Sequence, residues 1–249
     1  MGIERIGQLL GTALCCVAFQ AGAVPMSFSG SSGALAASAT FDIVGGQLVV
    51  VLSNTSAADA LVPTDVLTGL FFNIVGNPLL SRTSVISNGP TFLNGAQYNP
   101  AGTVVGGEYA YVNSLSQYGA NSGISNSGLG IFGPADLFPG ANLQGPASPD
   151  GVQYGLTSAG DNPTTGNSAM LSNALTRNSV TVSLGSLPAG FSLSSISNIT
   201  FQYGTALSEG HFSGGGGGGT GTSIPEPQTV ALLGLGALLA GLGRRRRRR

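Results

Sequence analysis

Thr40-Phe41-Asp42-Ile43-Val44-Gly45-Gly46-Gln47-Leu48-Val49-Val50-Val51-Leu52-Ser53 is the stretch that decides the fold. Phe41 and Ile43 share one face of a first strand, and Leu48, Val50 and Leu52 share one face of a second, because side chains alternate along a strand. Gly45-Gly46 between them accepts the positive φ angles of a two-residue turn, so the stretch reads as a β-hairpin. Outward from it, Asn54 to Asp59 is a polar break, Pro63-Thr64-Asp65 is turn or strand-entry material, and Leu67 to Val75 is a further apolar strand. Tyr109 to Val112, Val180 to Leu184 and Phe191 to Tyr203 also read as strands. Val180, Val182 and Leu184 alternate with Thr181 and Ser183, as in a sheet with one wet face.

Asn113 to Thr176 is rich in Gly, Ser, Asn and Pro and too long for an ordinary connection. It is expected to hold short strands or extended surface loops, with a helical turn or two at Ala169 to Leu175. No extended amphipathic helix is evident. The expected fold class is mainly β: a single β-sandwich-like domain with a flexible Gly-rich linker and a C-terminal transmembrane helix. A domain over residues 24–212 is large enough for one hydrophobic core.

Both ends of the chain carry a different chemistry. Residues 1–23 have Arg5 near the start, an apolar run from Ile6 to Phe19 and small residues Ala21-Gly22-Ala23, the order of a signal peptide cleaved after Ala23. Cys15 and Cys16 lie inside it, so the mature chain is expected to hold no disulfide, thiol chemistry or cysteine-ligated zinc. At the other end, Gly214 to Gly219 cannot bury side chains and reads as a flexible spacer, within a linker over residues 213–223. Ile224-Pro225-Glu226-Pro227 follows, then the uncharged apolar run Gln228 to Gly243, then Arg244, Arg245, Arg246, Arg247, Arg248 and Arg249. A helix over the run would span only about 24 Å against a bilayer core of roughly 30 Å. The arginines are expected to stay on the cytoplasmic side as an orientation signal, which leaves the domain outside.

That tail also bends the charge balance. The formal net charge is −1, but six of the nine basic residues are terminal. From Met26 to Ser223, Arg82 and Arg177 face Asp42, Asp59, Asp65, Glu108, Asp136, Asp150, Asp161 and Glu209, a formal charge of −6. An acidic domain repels nucleic acid, and no basic patch with interleaved aromatics argues otherwise.

The order of parts over residues 224–249 resembles the PEP-CTERM sorting signal of Gram-negative bacteria, with Pro225, Glu226 and Pro227 matching its signature tripeptide. The resemblance implies recognition by an exosortase after signal peptidase has acted, a transient membrane anchor, and transfer toward the cell surface or extracellular matrix. Phe41-Asp42 with its hairpin, Asn54-Thr55-Ser56 through Pro63-Thr64-Asp65-Val66-Leu67-Thr68-Gly69, Asp150-Gly151-Val152, Ser158-Ala159-Gly160-Asp161 and Phe201-Gln202-Tyr203-Gly204-Thr205 resemble the XDD4 family of exosortase-dependent surface proteins. That family has no established biochemical activity, so it implies location and fold rather than mechanism.

Catalytic and ligand-binding patterns are thin. His211 is the single histidine, beside the glycine run, and reads as a solvent-facing linker residue rather than part of a Ser-His-Asp arrangement. Asp59 with Asp65, and Asp150 with Asp161, flank two loops; glycoside chemistry would need two carboxylates about 5 to 9 Å apart across a cleft. Asp161-Asn162-Pro163-Thr164-Thr165-Gly166-Asn167 offers oxygen ligands for calcium but lacks the repetition of an EF-hand loop and reads as a turn. No cofactor or metal is expected, and no enzyme. The expected role is an exosortase-sorted structural or adhesive protein of a biofilm or exopolysaccharide matrix. The alternatives are a carbohydrate-binding module, with Tyr98, Tyr109, Tyr111, Tyr118 and Tyr154 as stacking residues, and a secreted carbohydrate hydrolase.

Overall fold

The computed structural model describes residues 24–217. The signal peptide over residues 1–23, Pro225-Glu226-Pro227, the apolar run 228–243 and the arginine tail lie outside the described residues. Among the described residues no helix is long and apolar enough to cross a membrane.

The mainly β expectation holds. Among the described residues fourteen strands form one curled sheet, and its order is best followed from the decisive hairpin. Strands β2 (Leu35–Val44) and β3 (Gln47–Asn54) pair antiparallel around Gly45 and Gly46, whose φ angles of 58° and 76° are those a two-residue turn demands. On one side β3 pairs with β12 (Ser179–Gly185), and β12 with β5 (Ser81–Ser87). On the other side β2 pairs with β1 (Met26–Ser32), β1 with β14 (His211–Gly217), β14 with β13 (Ile196–Tyr203), and β13 with β4 (Leu67–Ile74). Strand β9 (Ser122–Ser125) lies against β4, and β8 (Ala110–Asn113) lies against β9. The curl brings the first and last of these together: Arg82 on β5 donates from its guanidinium to the Tyr111 carbonyl on β8 at 3.3 Å.

Alternation fills the space inside the curl. Leu48, Val50 and Leu52 of β3 and Val180, Val182 and Leu184 of β12 are fully buried, while the residues between them on β3 are half exposed. Phe41 links the two halves, with its ring edge-on to Phe28 at 5.8 Å and to Phe72 at 5.3 Å. Edge-to-face pairs of this kind add about 0.5–1.5 kcal/mol each beyond the area they bury. Strand β4 is apolar on both faces because its outer side is covered too: Phe71 packs with Ala110, Ala120, Leu129 and Phe132.

The antiparallel register defines two poles. At one, the tail pole, lie Met26, the turn at Gly45-Gly46, the connection from Ile74 to Ser81, Gly185 and Gly217. At the other, the cap pole, lie the turn after Ser32, the loop from Thr55 to Val66 and the turn between Tyr203 and His211. The long segments at the cap pole are ordered by strands β6 (Thr91–Leu93), β7 (Ala96–Asn99), β10 (Leu156–Thr157) and β11 (Leu175–Arg177) and by one helical turn, α1 (Ser168–Leu171). Ala60, Val66, Val152, Met170 and Leu175 make a small core of their own there.

The spacer expectation is corrected for Gly214 to Gly217. They are the second half of β14, paired with Ile199 on one side and with Ser27, Phe28 and Ser29 on the other. Glycine suits this strand because its neighbours press on it: a Cβ at Gly214 would sit 2.9 Å from the Phe201 ring, and one at Gly216 would sit 3.3 Å from Phe28. Aromatic side chains of the flanking strands cover the bare backbone. His211 begins the same strand and so is not a linker residue, although it is exposed.

The seam between β1 and β14 should therefore be sensitive at one glycine and tolerant at another. A Cβ on Gly30 would lie 2.5 Å from the Ser213 carbonyl oxygen, whereas one on Gly215 meets nothing closer than 3.8 Å. Gly30→Ala is expected to lower stability by about 1–3 kcal/mol through overpacking against backbone. Gly215→Ala should stay within about 1 kcal/mol of the parent in chemical denaturation.

Candidate functional site

The tail pole carries the exit to the C-terminal segment and an open groove. Gly217 lies opposite Ser27, so the chain enters and leaves the sheet side by side. Across the molecule, where β5 and β8 approach each other, a groove of about 550 Å³ is lined by Leu79, Ser81, Arg82, Asn113, Asp136, Leu137, Pro139 and Ser186. Arg82 and Asp136 stand 3.8 Å apart in it, both about one-third exposed. An ion pair that wet contributes little to stability, and each partner also holds backbone, Arg82 the Tyr111 carbonyl and Asp136 the Gly133 N–H. Arg82 was visible in the sequence as one of two internal cations; its meeting with Asp136 depends on the curl.

The residues singled out for chemistry are arranged differently from their sequence pairing. Asp59 and Asp161 meet across two loops, rather than Asp59 with Asp65 or Asp150 with Asp161. The Ala60 N–H donates to Asp161 Oδ1 at 2.8 Å, and the Asn162 N–H donates to Asp59 Oδ1 at 3.0 Å, so each carboxylate ties the other's loop. Arg177 closes the cluster, donating to the Asp161 carbonyl at 2.6 Å with its guanidinium 4.5 Å over the Phe92 ring. Asp65 accepts from Leu61 and Val62 N–H and serves as a local turn lock. The crevice beside Asp161 holds about 20 Å³, the room of a water molecule and far from that of a sugar ring. Burial raises the Asp161 carboxyl above its usual 3.8, and the Asp59 charge adds to this, against the Ala60 N–H and Arg177.

His211 stacks on Tyr118 with centroids 4.5 Å apart, and its Nδ1 lies 3.0 Å from the Glu209 carbonyl oxygen. Its partners among the described residues are thus a phenol ring and a backbone carbonyl. Among the described residues no group of three His, Cys, Asp or Glu side chains is placed to hold a metal.

The tyrosines chosen for stacking are mostly structural. Tyr109, Tyr111 and Tyr154 are buried, with the Tyr109 hydroxyl donating to the Tyr154 carbonyl at 2.7 Å and the Tyr154 hydroxyl to Asn99 Oδ1 at 2.7 Å. Burial, and then the Glu108 charge, push both of these phenols well above their usual range. Tyr118 is half buried, its hydroxyl held between Gln202 Oε1 and the Leu207 carbonyl, each at 2.7 Å. Tyr98 keeps an accessible face, 44% exposed, with its hydroxyl donating to the Leu143 carbonyl. A stacking platform of five rings is thus corrected to one exposed ring.

Sequence reasoning missed Glu108, which is fully buried and accepts from the Leu143 and Gln144 N–H groups and from the Ser148 hydroxyl. Its position within a glycine-rich stretch gave no periodic signal; its role is to fasten the segment from Leu143 to Ser148 onto the sheet.

A β-sheet domain that releases its chain from one pole is the class of protein this geometry defines. The segment it releases is identified by comparison: residues 223–248 match the family described as the PEP-CTERM protein-sorting motif. The motif implies export, exosortase processing and sorting to the cell surface of a Gram-negative bacterium. No curated protein and no solved structure matches the chain significantly. The resemblance of the domain to the XDD4 family finds no support in these comparisons, since the match reported covers the sorting tail alone.

The Asp59–Asp161 cluster has a testable pH signature. Asp161 binds its proton more tightly in the folded chain than in the unfolded one, so its contribution to stability is full below pH 3.8 and is lost as pH rises through its raised native value. Asp161→Asn keeps an oxygen for the Ala60 N–H and removes the buried charge. The variant is expected to match or exceed the parent in urea midpoint at pH 7, with the difference shrinking as the pH falls toward 3.8.

Proposed function

We propose that this chain is an exosortase substrate whose β domain serves, once delivered, as a structural or adhesive component of an exopolysaccharide or biofilm matrix. The observation that carries the reading is the sorting motif at residues 223–248, which follows almost directly on the last strand of the sheet. In this reading signal peptidase removes residues 1–23, and the run 228–243 then holds the chain as a transmembrane helix. Arg244 to Arg249 stay on the cytoplasmic side, and exosortase acts at Pro225-Glu226-Pro227. The domain is not an enzyme in this account: the Asp59 and Asp161 carboxylates are occupied in fastening loops, and its buried tyrosines tie layers together, which suits a durable surface module.

A carbohydrate-binding role is the second reading, and the groove with Arg82, Asp136 and Asn113 is the observation that favours it. Polar groups converging on an open groove of this size can take a short polysaccharide segment. Glycan-array binding by the full chain that Arg82→Ala abolishes would support it, and an unaffected array pattern would remove it.

Sorting is tested in an exosortase-positive Gram-negative host by mass spectrometry of surface-delivered protein. The expected product lacks the peptide carrying Arg244 to Arg249, and deletion of Pro225-Glu226-Pro227 should hold the chain in the inner membrane. An intact arginine tail on surface protein would refute processing.

A further inference from the structure

The two poles differ in surface chemistry, and the difference has a direction. Val44, at the hairpin turn, is 53% exposed; Val75 and Leu79, in the connection between β4 and β5, are 70% and 76% exposed. All three project from the tail pole, where Val24 also stands 82% exposed at the start of the described chain. Single exposed apolar residues are ordinary, but here they tip separate turns at one end of a sheet. The formal charges near them are Asp42 and the Arg82–Asp136 pair. The acids Asp59, Asp65, Asp161 and Glu209 sit instead on the loops of the cap pole, with Arg177 as their cation there. One end of the domain is nearly neutral and carries the most exposed apolar tips; the other is acidic, and its own apolar residues Leu61 and Val62 are less exposed, at 49% and 40%, among those carboxylates.

The chain itself says what the tail pole faces. It leaves the sheet at Gly217, and the apolar run begins at Gln228. At no more than about 3.6 Å per residue, the connection cannot let the pole stray beyond about 40 Å from the start of that run. A tether that short keeps a weakly apolar surface at high effective concentration beside the bilayer that the run enters.

We propose that the tail pole is a membrane-docking surface, with Val44, Val75 and Leu79 seated in the lipid interface of the inner membrane before the chain is processed. Residues of this kind sink about 5–10 Å to the boundary between headgroups and acyl chains. The cap pole, rich in acids, is repelled by anionic headgroups and points away. Docking holds β14 upright over its own tail and presents the segment after Gly217 at the membrane surface. The inference rests on the reading of residues 228–243 as the membrane segment.

The full chain, with Cys15→Ser and Cys16→Ser to remove its own thiols, can be labelled at single cysteines with an environment-sensitive fluorophore. Val44→Cys, Val75→Cys and Leu79→Cys report on the tail pole; Leu61→Cys and Val62→Cys report on the cap pole. In nanodiscs of phosphatidylethanolamine and phosphatidylglycerol, the three tail-pole labels are expected to show blue-shifted emission and quenching by spin-labelled lipid. The two cap-pole labels should report water, and Val75→Asp with Leu79→Asp should release the label at position 44. Water-like emission at all five positions in chains that co-migrate with the discs would overturn docking while leaving the membrane segment intact, as would equal quenching at both poles. Failure to co-migrate would overturn the membrane segment and docking together.

Discussion

Ser27, Phe28 and Ser29 pair with Gly217, Gly216 and Gly215, and the rest of the structure depends on this short ladder. Strand β1 belongs to the half of the sheet built on the β2–β3 hairpin, and β14 belongs through β13 to the half built on β4. Elsewhere the two halves meet through side chains, through scattered backbone bonds such as Val105 N–H to the Val85 carbonyl and Asn178 N–H to the Thr157 carbonyl, and through the Arg82 contact at the opposite edge. With the ladder, Phe28, Phe41 and Phe72 become one aromatic column across the interior. Glycine eases the approach of the strands: Phe201 and Ile199 occupy the space a side chain at Gly214 would need, and Phe28 lies 3.3 Å from where one at Gly216 would stand.

The same ladder explains why the domain and its address are physically coupled. The strand that completes the sheet is also the last one before the sorting segment, so the exit point is fixed by backbone hydrogen bonds. The most exposed apolar tips, Val75 and Leu79, lie at the same end as that exit, and the acidic loops are gathered at the far end around Asp59, Asp161 and Glu209. Charge and exposure thereby give an orientation to a sheet that has none from its strand directions alone.

What could be read from the sequence followed the strength of its periodicity. The hairpin, β4, β8, β12 and the end of β13 were legible because apolar residues alternate or run together there. Strand β1, Met-Ser-Phe-Ser-Gly-Ser-Ser, and β5, Ser-Arg-Thr-Ser-Val-Ile-Ser, carry too few apolar residues to announce a face; their partners impose extension on them. The glycine run misled most. Composition argues for flexibility, and only the aromatics of β1 and β13, remote in sequence, reveal that a bare strand is wanted. The sorting tail was legible from order and composition alone, and its motif match agrees. The carboxylate pairing was not, since Asp59 and Asp161 meet through a fold that brings residues about a hundred positions apart into contact.

Pairing the first strand with the last also sets a clock. The sheet cannot be completed until Gly217 has been delivered, so during export β1 and β13 each wait with an unpaired edge, the kind of edge that invites foreign strands. Contacts this distant in sequence form late, after nearer ones have paid for the loop they close. Closure of the fold and arrival of the sorting segment are therefore nearly simultaneous. A chain that halts short of β14 is left open, and it also lacks the signal that would send it onward.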